Sequence, residues 1–349
     1  MKVTEIESKS ALQEFQKIRH FKISNDYMYF TVSCYGSTIS SIYTPSANGE
    51  LDDIALGFDD IAKYESCPFS PCGLVGRYAN RIAEGRFDLN EKTINLSKND
   101  GGIHHIHGGF QGFNRRLWDA EIQKDGSGLL MTLRSPEGEE GYPGNLEINV
   151  LYSLSDENEI IINYSAQTDK PTICNPSMHL AVNLGGRNCQ DLASHYLKIY
   201  SSSFLDATGD GIPTGEILET AGTPLDFSSF ENLGKRLSEN HRLIETMNGL
   251  DYHLNIDGTG LRQFYELRDS VSGRYMACSS DMPGLHIYTA NTLDGSCTGK
   301  NNVPYIKHGS FFAETQYAPN SVNLPFLAQS ILNPGEIYEK TTIYKFGVL

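Results

Sequence analysis

Leu146–Leu154 reads LEINVLYSL, with an apolar side chain at every second position. The turn SDENE follows at 155–159, and EIIINYSA (159–166) alternates again. A period of two gives an extended chain one apolar face, so this pair predicts an antiparallel hairpin buried on one side. The pattern recurs outward in both directions: YMYFTVSCYGSTISSIYTP (27–45), RFDLNEKTINL (86–96), GLLMTLRS (128–135), HYLKIYSSSFL (195–205), LHIYTAN (285–291) and YEKTTIYKFGV (338–348). Helical periodicity is scarce, with short pieces predicted near 11–17 and 230–244. The 33 glycines and 14 prolines fall mainly between the strand runs, as turn punctuation does. No repeat of constant period, low-complexity tract or linker divides the chain. The expected fold is therefore all-β, a single large antiparallel β-sandwich of the supersandwich type, with one domain over residues 1–349. No G-x-G-x-x-G follows a strand, so a nucleotide cofactor has no visible cradle.

The 349 residues allow a large core, and the formal charge of -15 argues against nucleic acid or an anionic membrane as partner. The opening MKVTEIESKS has no apolar run of signal-peptide length, and no later run is long enough for a bilayer. A cytoplasmic protein is expected. Seven scattered cysteines, with no C-x-x-C pair, fit free thiols better than a disulfide framework or a structural zinc site. Nothing in the sequence specifies an oligomeric state.

Several connections carry more polar and aromatic residues than a turn requires. GLVGRYANRIAEGRF (73–87) holds Arg77, Asn80 and Arg81, and IHHIHGGFQGFNRRLW (103–118) holds His104, His105, His107 and Trp118. NPSMHLAVNLGG places His179 and Asn183, GLDYHL places Asp251 and His253, and FFAETQYAPNSVN places Glu314, Gln316 and Asn323. Rigid β scaffolds commonly present functional groups on such loops. Each residue also has a plainer reading. His107 suits a surface turn, His179 a hydrogen-bonded structural role, Glu314 a solvated carboxylate and Asp251 a turn former. Arg77 and Arg81 are able to pin loops, and Trp118 fits the core. The spacing of His105 and His107 would also suit two zinc ligands, although no third ligand is evident.

Together these segments resemble the galactose mutarotase branch of the aldose 1-epimerase family, over essentially the whole chain. The resemblance starts with YGSTISSIYTP and ALGFDDIAKY. It continues through GRYANRIAEGRF, IHGGFQGFNRRLW, SPEGEEGYPGNLEINVLYSL, GIPTGEI and TPLDF. It ends with GLDYHL, MPGLHIYTAN, ETQYAPNSVN and LNPGEIYEKTTIYKF. The resemblance implies a β-sandwich enzyme that exchanges the α and β anomers of a free aldohexose such as galactose or glucose. It implies Glu314 as general base, His179 as general acid and His107 as the second active-site histidine. Arg81, Asn80 and Asp251 become the residues that bind sugar hydroxyls. The chemistry needs only a base at the anomeric hydroxyl and an acid at the ring oxygen, so no metal or other cofactor is expected.

One departure stands beside the acid. Leu180-Ala181-Val182 replaces the family's usual aromatics, which bears on packing behind His179 or on the width of the pocket. Three other readings compete with the anomer exchanger. A glycoside hydrolase would use Glu314 and Asp251 as a pair. A sugar-sensing module would bind without turnover. An epimerase of phosphorylated sugars would need cations beyond Arg81, for which Arg77, Arg115 and Arg116 are the nearby candidates.

Overall fold

The computed structural model describes all residues except Lys9, Ala11 and Pro68. The expected hairpin forms: Leu146–Leu154 pairs antiparallel with Glu159–Thr168, from Leu154 opposite Ile160 to Leu146 opposite Thr168. It lies inside a nine-stranded antiparallel sheet. Asp119–Ile122 and Leu129–Ser135 flank it on one side. On the other come Tyr338–Val348, Arg274–Ser280, Arg262–Asp269, His195–Ile199 and Glu231–Asn232. A six-stranded sheet runs in the order Leu180–Val182, Phe311–Gln316, Gly284–Tyr288, Asp251–Asn255, Ser203–Ala207 and Pro213–Glu219. A five-stranded meander, from Lys2–Ile6 to Leu51–Asp53, packs beside them. The architecture is the expected all-β sandwich.

Alternation decides what each face of the six-stranded sheet carries. In Phe311–Gln316 one set of side chains turns toward the nine-stranded sheet. Phe311 meets Tyr265 with ring centroids 5.8 Å apart, and the Thr315 hydroxyl reaches that of Thr342 at 2.7 Å. Successive strand side chains point to opposite faces, so Phe312 and Glu314 belong to the other face, away from the large core. Register extends that assignment across the strands. Asp251, Tyr288 and Phe312 form one cross-strand row; His253, His286 and Glu314 form the next. This polar face receives the loops.

Of the two expected helical segments, the first yields only a 3-10 turn at Phe15–Lys17, with Ala11 outside the described residues. The second divides into Leu233–Leu237 and Arg242–Met247, each with a side-chain cap, from Asn232 and from the His241 ring. Asn248, in the left-handed region, ends the latter. Among the described residues no helix is long and apolar enough to cross a membrane. All seven cysteines are free.

Candidate active site

Glu314 sits in mid-strand with only 2% of its surface exposed. Its Oε1 lies 3.6 Å from His179 Nε2 and its Oε2 lies 3.9 Å from His107 Nδ1. Neither distance makes a hydrogen bond, and among the described residues Oε2 has no hydrogen-bond partner. Burial pushes the Glu314 carboxyl up to about 8; the Asp251 charge adds to the shift and Arg81 opposes it. Such a group holds a proton at neutral pH and accepts or releases it close to the working range.

The main chain fixes both histidines. His179 joins two short strands; its N–H donates to the Gly73 carbonyl, and its own carbonyl accepts from Cys72. Its ring Nδ1 donates to the Ser70 carbonyl at 3.2 Å, which leaves Nε2 to face Glu314. Burial lowers the His179 ring to about 4, against the opposing effect of the Ser70 bond. His107 has φ +52 and trades two bonds with Asn80: its N–H donates to the Asn80 carbonyl, and its Nδ1 accepts the Asn80 N–H at 3.2 Å. Nδ1 being an acceptor, the neutral ring carries its proton on Nε2. Burial, with the His179 charge next, holds His107 well below the usual imidazole range. The two rings lie edge to face at 4.9 Å.

The glycines after His107 are required by this geometry. Gly108 has φ +86, and any Cβ there would overlap the Gly76 carbonyl oxygen. Gly109, at φ +99, leaves room for the Glu140 carboxylate, which accepts from the Phe110 and Gln111 N–H groups.

Asp251 begins its strand on the same face as Glu314. Its Oδ1 accepts from His286 Nε2 at 2.7 Å. Burial raises the Asp251 carboxyl, but the His286 bond and the charges of His286, Arg81 and His179 together leave it below its ordinary value. Arg81 reaches in from a two-stranded ribbon with His105–Ile106, and its Nε donates to Asp100 Oδ2 at 2.8 Å. Asn80 is buried, its side-chain oxygen taken by the Arg81 N–H. Sequence reasoning singled out the other residues here but missed His286, because one histidine inside LHIY reads as a strand interior. Only the register that sets it between His253 and Glu314 gives it away.

His104, His105, Arg77, Arg115 and Arg116 have other employments. His105 is wholly buried, donating from Nδ1 to the Ser97 carbonyl while Nε2 takes the Tyr142 hydroxyl. Both nitrogens are used, so the His105–His107 zinc pair fails. His107, His179 and Glu314 do bring one ligand-type atom each within 4.8 Å of one another, but the His107 Nδ1 beside Glu314 is already an acceptor for Asn80. His104 accepts the Glu84 N–H and donates to Asp210 at 3.1 Å, tying two loops at the rim. Arg77 spreads its guanidinium over the carbonyls of Ser135, Pro136, Pro143 and Gly144, Arg115 caps the Glu65 and Cys67 carbonyls, and Arg116 pairs with Glu139. Those three cations are therefore spoken for, and the phosphorylated-sugar reading loses its support. Asn183 bonds the carbonyls of Asp191 and Gly309, and Trp118 is core, its Nε1 donating to Phe113. Leu180 and Val182, opposite Ala313 and Phe311, are buried on the core side behind His179, whereas Ala181, opposite Phe312, belongs to the face that carries Glu314; Phe312 supplies the ring that packs on His179, at 4.9 Å.

A sequence profile of aldose 1-epimerases matches residues 19–345. Galactose mutarotase of Bos taurus is 36% identical over 95% of this chain and 94% of its own. Aldose 1-epimerase of Escherichia coli K12 is 31% identical over 93% of each. Among solved structures, an aldose epimerase homologue from C. elegans superimposes with a TM-score of 0.87 at 27% identity, covering 94% of this chain and 98% of that one. Galactose 1-epimerase from Lactobacillus acidophilus gives 0.86 at 25% identity, over 100% and 99%. The chain is thus an enzyme that epimerises carbohydrates. It belongs to the aldose 1-epimerase family.

Proposed function

We propose that the protein interconverts the α and β anomers of free aldohexoses such as galactose and glucose, with Glu314 as base and His179 as acid. The observation that carries this assignment is the buried Glu314 carboxyl group, one oxygen without a hydrogen-bond partner among the described residues, set between two histidines at 3.6 and 3.9 Å. Glu314 takes the proton of the anomeric hydroxyl while His179 Nε2 gives one to the ring oxygen. The bond from C1 to the ring oxygen breaks and an aldehyde forms; rotation about C1–C2 then presents its other face. Closure reverses the proton transfers, and no net proton is consumed. Because the Ser70 carbonyl holds His179 Nδ1–H, Nε2 is the only ring atom free to gain and lose the proton. With the carboxyl near 8 and the imidazole near 4, the empty pocket keeps its single proton on Glu314. That is the state in which ring opening ends and ring closure begins.

His107 offers Nε2–H to a sugar oxygen. Asp251 and Arg81 bind hydroxyls, and Asn80 acts through the two residues it holds, Arg81 and His107. A binding module would have no use for a buried acid–base pair, and a hydrolase would have none for His179. The test is polarimetry on freshly dissolved α-glucose and α-galactose, with chelator present. Accelerated decay of rotation toward equilibrium is expected for at least one of them; loss of the rate on chelation would overturn a cofactor-free mechanism, and activity only on sugar phosphates would overturn the substrate class.

A further inference from the structure

We propose that Glu140 is a positioning residue for His107, a role that rests on the acid–base reading above. His107 stands at φ +52 with two glycines after it, the most pliable backbone a side chain has to stand on. Asn80 holds the front of this turn. The residues behind it, Phe110 and Gln111, are exposed, so burial of their side chains does not anchor them. The Glu140 carboxylate takes that part. Its Oε2 accepts the Phe110 N–H at 3.1 Å and its Oε1 the Gln111 N–H at 2.8 Å. Two oxygens on two successive N–H groups let the segment neither rotate nor slide. Each bond is charge-assisted, and such bonds are roughly twice as strong as neutral ones.

The clamp is itself held. The Glu140 carbonyl accepts the Ser97 N–H at 2.9 Å, and the Ser97 hydroxyl donates to Oε2. The Ser97 carbonyl in turn takes His105 Nδ1–H at 2.8 Å. Two residues beyond Glu140, the Tyr142 hydroxyl donates to His105 Nε2 at 2.5 Å. The turn at 138–142 thus grips the chain on both sides of His107. To do so Glu140 keeps φ +52, a costly conformation for a residue with a side chain, held only where its contacts over-determine it. Its partners are N–H and O–H groups rather than cations, and they lead to the His107 turn.

The function is read from a double-mutant cycle followed by polarimetry on freshly dissolved α-glucose. Glu140→Ala is expected to lower kcat/KM about a hundredfold, the cost of displacing a catalytic group by about 1 Å. In a His107→Ala background the same change should cost less than about threefold, because the group it places is gone. Glu140→Gln keeps the shape and one acceptor, so it preserves the fold and should lose about tenfold. Formate, a free carboxylate small enough for the vacated cradle, should restore Glu140→Ala at least about tenfold, after subtraction of its own catalysis of mutarotation, without raising the wild-type rate. A side chain needed for stability alone would show no such rescue. Ring-nitrogen NMR shifts read the position separately: His107 keeps Nδ1 unprotonated in the wild type, mixes tautomers in Glu140→Ala and returns to one with formate. Equal losses in both backgrounds, absence of formate rescue, or an unchanged His107 ring signal in Glu140→Ala would each overturn the proposal. Failure of the wild type on every free hexose would instead bring down the acid–base reading, and the ring signals, which need no turnover, would still decide what places His107.

Discussion

At the scale of single residues, the proposed chemistry turns on one proton shared between two buried groups. Glu314 is raised to about 8 by burial and His179 lowered to about 4 by the same cause, so between these values the pair holds one proton, and kinetics sees the pair rather than either member. We expect kcat/KM to be level across that span, to fall above about 8 as the proton is lost and to fall below about 4 as a second is gained. An acid limb near the ordinary imidazole value would overturn the assignment. Glu314→Gln and His179→Asn should each lower kcat by ~10²–10⁴-fold with little change in KM, whereas Asp251→Asn and Arg81→Ala should lose more through KM. The same raised carboxyl has a consequence for stability. Folding favours the protonated form of Glu314, so its stabilising contribution is complete below the unfolded value of 4.5 and is lost as pH climbs to about 8. Glu314→Gln, which cannot ionise, should therefore melt above the wild type at pH 8 and higher in a thermal scan; a lower melting temperature there would contradict the burial argument. The charged and polar residues of this site were legible in sequence because their tags are specific. His286 was not, since its partner Asp251 stands 35 positions away in sequence and only strand register makes them neighbours.

At the scale of elements, the ribbon and turn that present His107 show how backbone geometry selects sequence. Gly108→Ala introduces a Cβ where the Gly76 carbonyl already sits and forces a side chain into positive φ. The turn must shift, and with it the bonds between His107 and Asn80. A loss of ~1–3 kcal/mol in stability is expected from the strain, and the fall in kcat should exceed what the unfolded fraction explains; chemical denaturation alongside turnover measures both. Strands with clean alternation, such as Leu146–Leu154 and Tyr338–Val348, are plain in sequence. Arg262–Asp269 is not, because a register shift between Gln263 and Tyr265 interrupts its period of two. Arg274–Ser280 buries Arg274 and Ser280 at its ends, where apolar residues would have marked it. The short helices were overextended for a related reason: Ser238 to His241 breaks what periodicity alone reads as continuous.

At the scale of the molecule, side chains from the nine-, six- and five-stranded sheets meet in one apolar cluster, reaching from Phe21 and Ile42 through Ile148 and Tyr344 to Leu285 and Phe311. Cross-sheet contacts reinforce it, such as the Tyr152 hydroxyl donating to the Ser37 carbonyl. Residues 1–349 are therefore expected to unfold as one domain. Calorimetry should give a single transition whose calorimetric and van't Hoff enthalpies agree; two resolved transitions would divide the chain. Ile148→Ala, removing a fully buried side chain from the middle of that cluster, should cost ~2–5 kcal/mol and lower the transition as a whole.

Tyr338–Val348 lies at the middle of the nine-stranded sheet, hydrogen-bonded to Glu159–Thr168 on one side and Arg274–Ser280 on the other. On a ribosome, those two neighbours wait with open edges until residues 338–348 have left the exit tunnel. The nascent chain thus spends most of its synthesis with unpaired, apolar strand edges, the kind of surface that recruits other chains. Messages truncated upstream of residue 338 should yield insoluble product rather than a smaller enzyme, and chaperone demand should rise with translation pauses ahead of that strand.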